Sequence, residues 1–164
     1  MKNENLKPNS NTMKKTIQAF LDTKQVAIAG ASNNRDNFGR FLMKELSARN
    51  YEVYPVNPHC EEIDGIPCAA KVKELPEGIE NLILVVPPSL TDEIIEQSLN
   101  TSIRRVWMHR GVGRGAVSKN AIEVCSRNGI EVVYGFCPMM FYGKGAHRFH
   151  RWIRERFGKV PAEY

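Results

Sequence analysis

The run Gln25-Val26-Ala27-Ile28-Ala29 leads straight into Gly30-Ala31-Ser32, and a helical pattern starts near Phe38. Residue types in this order suit the seating of an anion. The first amides of a helix have no internal acceptors, and the helix dipole favours negative charge beside them. Ser32 adds a hydroxyl and Arg35 adds a cation in the connecting loop. The expected chemistry is phosphate binding, as part of a nucleotide-like ligand. The plainer role for the same glycine is a turn that only joins strand to helix.

The dinucleotide fingerprint G-x-G-x-x-G is not met. Ser32 stands where its second glycine belongs, and Gly39 comes too late for its third. A standard NAD site also has an acid at the end of the second strand, where it grips the ribose hydroxyls. Here Tyr51-Glu52-Val53-Tyr54-Pro55-Val56 ends in Asn57-Pro58-His59, with no carboxylate. An NAD(P)-binding oxidoreductase is therefore only an alternative reading.

Acid–base or nucleophilic catalysis would need Ser32, His109 or Cys137. His109 follows a strand and could act as a base or contact phosphate; it could equally be a hydrogen-bonded loop histidine. Cys137 precedes Pro138, and its plain reading is a small packed hydrophobe. No carboxylate accompanies either in a recognisable pattern. Asp36, the one acid of the first loop, is expected to cap the following helix. Cys60, Cys68, Cys125 and Cys137 form no C-x-x-C pair and no zinc spacing, so reduced thiols are expected. His147 and His150 could share a metal, but no third ligand is evident.

These residues need a scaffold, and 164 residues suffice for one domain with a real core. Residues 1–11 read as a disordered leader and 12–23 as a short helix bearing Met13, Ile17, Phe20 and Leu21. Strands are expected at 25–30, 51–56, 81–86, 104–108 and 130–134, with helices near 38–49, 91–99 and 118–128. The first of these helices carries Phe38, Phe41, Leu42 and Leu46 on one stripe. Strict alternation predicts an α/β fold: a doubly wound, five-stranded parallel sheet over residues 12–142. Its expected order, numbered along the chain, is 3-2-1-4-5. The loops after the strands, bearing Ser32, His59, Pro88, Gly111 and Cys137, then share one sheet edge, where ligands of such folds bind.

The net charge of +5 is concentrated after residue 143. In that tail Phe149, Trp152, Ile153 and Phe157 share a helical face, and arginines cover the rest. A basic C-terminal helix is expected, its aromatic face docked on the domain or on a partner chain, including a second copy. A nucleic-acid surface is the weaker reading of the same charges. No apolar run approaches the roughly 20 residues of a membrane span, and the polar start lacks a signal-peptide core. The expected location is the cytoplasm, with no membrane partner.

Five segments together carry a family resemblance: Val26 to Ser32, Tyr54 to Pro58, Val85-Val86-Pro87-Pro88, Val106-Trp107-Met108 with Gly111, and Cys137-Pro138. In this order and spacing the chain resembles the CoA-binding domain proteins, small stand-alone relatives of the succinyl-CoA ligase alpha subunit. The resemblance implies a Rossmann-like fold and coenzyme A, or an acyl-CoA, as ligand. It implies binding residues Gly30, Ala31, Ser32, Arg35, Phe38, Gly39, Asn57, Pro58, His59, Val86, Pro87, Pro88, His109, Gly111 and Cys137. The phosphates would sit at Gly30-Ala31-Ser32 and the nucleotide end near Asn57. The missing acid then suits a ribose 3′-phosphate, which a carboxylate at Asn57 would repel and His59 or Arg35 would welcome. Cys137 could meet the CoA thiol as a mixed disulfide. Two departures stand out. His109 occupies a position that is commonly glutamine in the family, and the basic tail extends past the usual domain end. The ligase subunit keeps its phosphorylated histidine in a second domain, no counterpart of which is expected within these residues, so the resemblance implies binding without catalytic machinery.

Overall fold

A computed structural model describes residues 10–110 and 115–142. Helix α1 (Ser10–Asp22) precedes β1 (Gln25–Ala29), α2 (Phe38–Ser47) and β2 (Glu52–Val56). A hairpin of β3 (Glu62–Ile63) and β4 (Ile66–Pro67) leads to one 3-10 turn at Val72–Glu74. Then come β5 (Asn81–Leu84), α3 (Pro88–Ser98), β6 (Arg105–Met108), α4 (Lys119–Arg127), β7 (Glu131–Tyr134) and α5 (Met139–Tyr142). Ser10 and Asn11, expected in the leader, are already helical. The rest of the leader, Gly111 and the whole basic tail with His147, His150 and its aromatic face lie outside the described residues.

The α/β Rossmann-like architecture is as expected: five parallel strands with flanking helices. The strand order is not. The sheet runs β2-β1-β5-β6-β7, which is 2-1-3-4-5 when its five strands are counted along the chain. The expected 3-2-1-4-5 put the third strand outside the second. Burial explains the difference. Every residue of β5 is buried, so it needs neighbours on both edges and cover on both faces. It finds them between β1 and β6, with Ala27 opposite Leu82 and Leu82 opposite Val106. β2 suits an edge. It contains Pro55, which has no ladder donor, and it is more exposed than β5. Its outer edge is closed by Ala69, whose amide donates to the Pro55 carbonyl at 3.0 Å and whose carbonyl accepts from Asn57 at 2.9 Å.

Right-handed crossovers place α2 on one face of the sheet and α3 with α4 on the other, where those two helices touch. α1 packs on β7 through its buried Met13, Ile17 and Phe20. Phe20 meets Trp107 edge to face at 5.4 Å, and the Trp107 indole donates to the Phe136 carbonyl at 3.1 Å. Tyr51 and Tyr142 donate to the Leu21 and Phe20 carbonyls, which pins the end of α1. In α2 the buried stripe is Leu42, Met43 and Leu46; Phe41, expected on it, is 44% exposed. Among the described residues no helix is long and apolar enough to cross a membrane.

Candidate functional site

The chain steps from β1 to β2 on one side and to β5 on the other, so the carboxyl ends of β1 and β5 mark the switch point of the sheet. A cleft of about 370 Å³ opens there. Gly30 ends β1 at φ +98°, a conformation that side chains resist. A Cβ there would lie 2.2 Å from the Val85 carbonyl oxygen and 2.8 Å from Val86 Cγ1. The glycine lets the ends of β1 and β5 converge. Gly39 does the same for α2, where a Cβ would sit 2.7 Å from Ala31 Cα.

Two asparagines hold the loop between Gly30 and α2. Asn37, and not Asp36, caps α2: its Oδ1 accepts from the amides of Arg40 at 2.8 Å and Ser32 at 3.2 Å. An amide can also donate, which a carboxylate cannot, and Asn37 Nδ2 gives to the Gly30 carbonyl at 3.0 Å. Asn57, at the end of β2, donates to the next carbonyl, that of Ala31, at 2.8 Å. Its own Oδ1 accepts from the His59 amide at 2.8 Å. The β3–β4 hairpin braces the same loop. Arg40 forks onto Asp64 and donates to the Asn33 carbonyl, and Asn33 Nδ2 donates to the Glu62 carbonyl. The Arg40 guanidinium holds the Asp64 carboxyl at about 2, well below its ordinary range.

The structure brings together part of the expected site. Gly30, Asn57, Pro58, His59, Val86 and Pro87 line the cleft. Ala31 is fully buried beneath Gly39, the Ser32 amide is taken by Asn37, and Pro88 opens α3 just behind Pro87. Arg35 stands exposed at the tip of its loop, off the cleft lining. Phe38 stacks with ring centres 4.4 Å apart on His109, the residue after β6, whose amide donates to the Leu84 carbonyl at the end of β5. Burial holds the His109 imidazole at about 4, so it is neutral at pH 7. Cys137 follows β7, two strands from β5. Burial raises its thiol above the ordinary cysteine value, although the amides of Met139 and Met140 donate to the sulfur. Ser32, His109 and Cys137 thus belong to three separate loops, and the structure gives no hydrogen bond between any two of them. Among the described residues no group of three or more His, Cys, Asp or Glu is placed to hold a metal.

Sequence reasoning missed Asn37, Ala70, Lys71, Leu90, Glu93, Ile94 and Gln97, all of which line the cleft. Leu90, Glu93, Ile94 and Gln97 come from one face of α3, recurring at three- and four-residue spacing. That periodicity was visible, but it reads as core until the sheet order is known. Lys71 is positioned by the 3-10 turn, where the Val72 amide donates to Gln97 Oε1 at 3.3 Å.

The family model described as "CoA binding domain" matches residues 24–143. An ADP-forming acetate–CoA ligase from Archaeoglobus fulgidus is 30% identical over 127 residues, which are 74% of this chain and 18% of the ligase. The chain thus spans less than a fifth of that relative's length. A conserved hypothetical protein from Pyrococcus furiosus superposes with a TM-score of 0.65 at 30% identity, over 71% of this chain and 97% of that one. A hypothetical protein from Pyrococcus horikoshii superposes with a TM-score of 0.70 at 27% identity, over 85% and 93% of the two chains.

Proposed function

The chain belongs to the CoA binding domain family, and from that premise we propose that it binds coenzyme A, or an acyl-CoA, in the cleft between β1, β2 and β5. One observation supports this above the others: the cleft lies between the amino end of α2 and a β2 end that carries no carboxylate. Asn37, the cap of α2, lines the cleft, and the first amides of the helix behind it have no intrahelical acceptors, which suits a pyrophosphate. Ala31 is fully buried and the Ser32 amide is already used by Asn37, so this reading moves the phosphate seat from those two residues to the start of α2. Val85, Val86, Pro87, Leu90 and Ile94 supply an apolar wall for a flat base. A cleft of about 370 Å³ suits a nucleoside phosphate, at the lower end of ligand pockets, and leaves the pantetheine arm to run outside it.

In this reading the protein is a CoA-binding module, a carrier, sensor or subunit, and among the described residues no side-chain pair is arranged for catalysis. A raised thiol at Cys137 and a buried neutral His109 in separate loops give no nucleophile–base pair. The NAD(P) and nucleic-acid readings gain nothing from the comparisons.

The test is thermal unfolding of the folded, ligand-stripped protein with CoA, acetyl-CoA, NAD, NADP and ATP. At about 100 times its dissociation constant, CoA adds about 2.7 kcal/mol. For a domain of this size that raises Tm by roughly 5–10 °C. A shift with NAD and none with CoA reverses the choice of ligand. No shift with any of them leaves only the fold.

A further inference from the structure

We infer that Lys71 is the cation that reads the ribose 3′-phosphate of the ligand, an inference that rests on the CoA reading above. In doubly wound folds the pyrophosphate lies at the first helix start and the attached ribose points toward the end of the second strand. Here that end is Asn57-Pro58-His59, and Lys71 lines the same cleft. The other cations nearby are engaged or misplaced. Arg40 is committed to Asp64 and the Asn33 carbonyl, and Lys44 lies 3.6 Å from Asp64. Arg35 is not on the lining. Lys71 makes no ion pair among the described residues.

Its backbone is nevertheless fixed. The Lys71 carbonyl accepts from the Glu74 amide at 3.0 Å, the Ala70 amide donates to Glu74 Oε2 at 3.1 Å, and the Val72 amide is held by Gln97. The flexible stem thus starts from a set point on the rim. The cleft's one carboxylate, Glu93, is partly occupied, since Gln97 Nε2 donates to it at 3.2 Å. Lys71 thus sets a cation at the end of the cleft where Asn57, Pro58 and His59 lie. An ammonium ion there distinguishes a phosphate monoester from a hydroxyl.

The experiment measures dissociation constants of the full chain for CoA and 3′-dephospho-CoA by calorimetry. The expected wild-type preference is for CoA. Lys71→Gln should weaken CoA about tenfold, one charge-assisted contact, and leave 3′-dephospho-CoA within about twofold. Lys71→Arg should keep most of the preference, and Arg35→Gln should not change the ratio of the two ligands. The preference should shrink as salt rises from roughly 50 to 500 mM, because exposed charges are screened. Equal binding of both ligands by the wild type overturns the inference and leaves CoA binding standing. So does an equal loss of both in Lys71→Gln. Binding of neither ligand by folded protein overturns the inference together with the CoA reading.

Discussion

The side-chain amide of Asn57 donates to the carbonyl of Ala31 at 2.8 Å, so the end of β2 holds the turn that ends β1. The same side chain accepts from the His59 amide, and the Asn57 amide donates to the Ala69 carbonyl. One residue thereby ties together three of the segments that border the cleft. The absence of an acid here has a structural cause, independent of any ligand: aspartate cannot donate to a carbonyl.

Asn57→Asp should therefore destabilise the protein without ligand by about 1–3 kcal/mol, the cost of a lost donor and an ill-placed charge. Urea unfolding of the ligand-free variant checks this. An unchanged midpoint would mean that the residue matters only for the ligand.

The glycines separate fold from binding in the same way. Gly30→Ala places a Cβ 2.2 Å from the Val85 oxygen at a positive φ, so a loss of at least about 3 kcal/mol is expected. In Gly39→Ala, helix propensity favours alanine by about 1 kcal/mol, but contact with the Ala31 backbone at 2.7 Å opposes it. Backbone yields poorly, so the net change should be destabilising. Gly78→Ala, with open space around the Cβ, should lose only about 1–2 kcal/mol through its φ of +89°. If Gly30→Ala and Gly78→Ala unfold at the same urea concentration, the convergence of β1 and β5 is not what requires Gly30.

The strand–glycine–helix unit at Val26 to Phe38 was legible because its signals are local, an apolar run and a turn glycine; its cap was misassigned, since Asn37 and Asp36 are adjacent and both residue types cap helices. The sheet order was not, although two clues were present. Pro55 marks an edge strand, and the all-apolar run at Leu82-Ile83-Leu84 marks a central one. The Asp64-Gly65 pair also announces a hairpin, and both residues take positive φ in its turn. Half of the cleft was hidden for a different reason. Lys71, Glu93 and Gln97 meet Asn57 only through the crossover of the chain, and no local pattern encodes that meeting.

The thiols should differ sharply in reactivity. Burial pushes the Cys125 thiol up to about 12 and raises Cys137 as well. At pH 8, alkylation of Cys125 in the native protein should be about three orders of magnitude slower than in urea, and that of Cys137 should also be slowed. Peptide mass spectrometry after timed iodoacetamide labelling reads each site. Native labelling of Cys137 at the rate of a free thiol would restore the mixed disulfide with the CoA thiol as a live option.

Acid should destabilise the protein in a window set by His109. Burial holds its imidazole at about 4, against 6.5 for an unhindered histidine. Between those values the unfolded chain binds a proton that the native protein refuses. The His109 contribution is therefore complete above about pH 6.5, declines as pH falls toward 4, and is lost below that. Its full size is at most about 3 kcal/mol, less whatever solvent at the ring edge screens. Asp64, held at about 2 by Arg40, weakens the protein only at lower pH, as the carboxyl protonates below its unfolded value near 3.8. Urea midpoints from pH 8 to 4 should fall in the wild type and fall less in His109→Gln, which cannot take up a proton. Parallel pH profiles for the two proteins would show that His109 titrates alike in the native and unfolded chains and is not held neutral against Phe38.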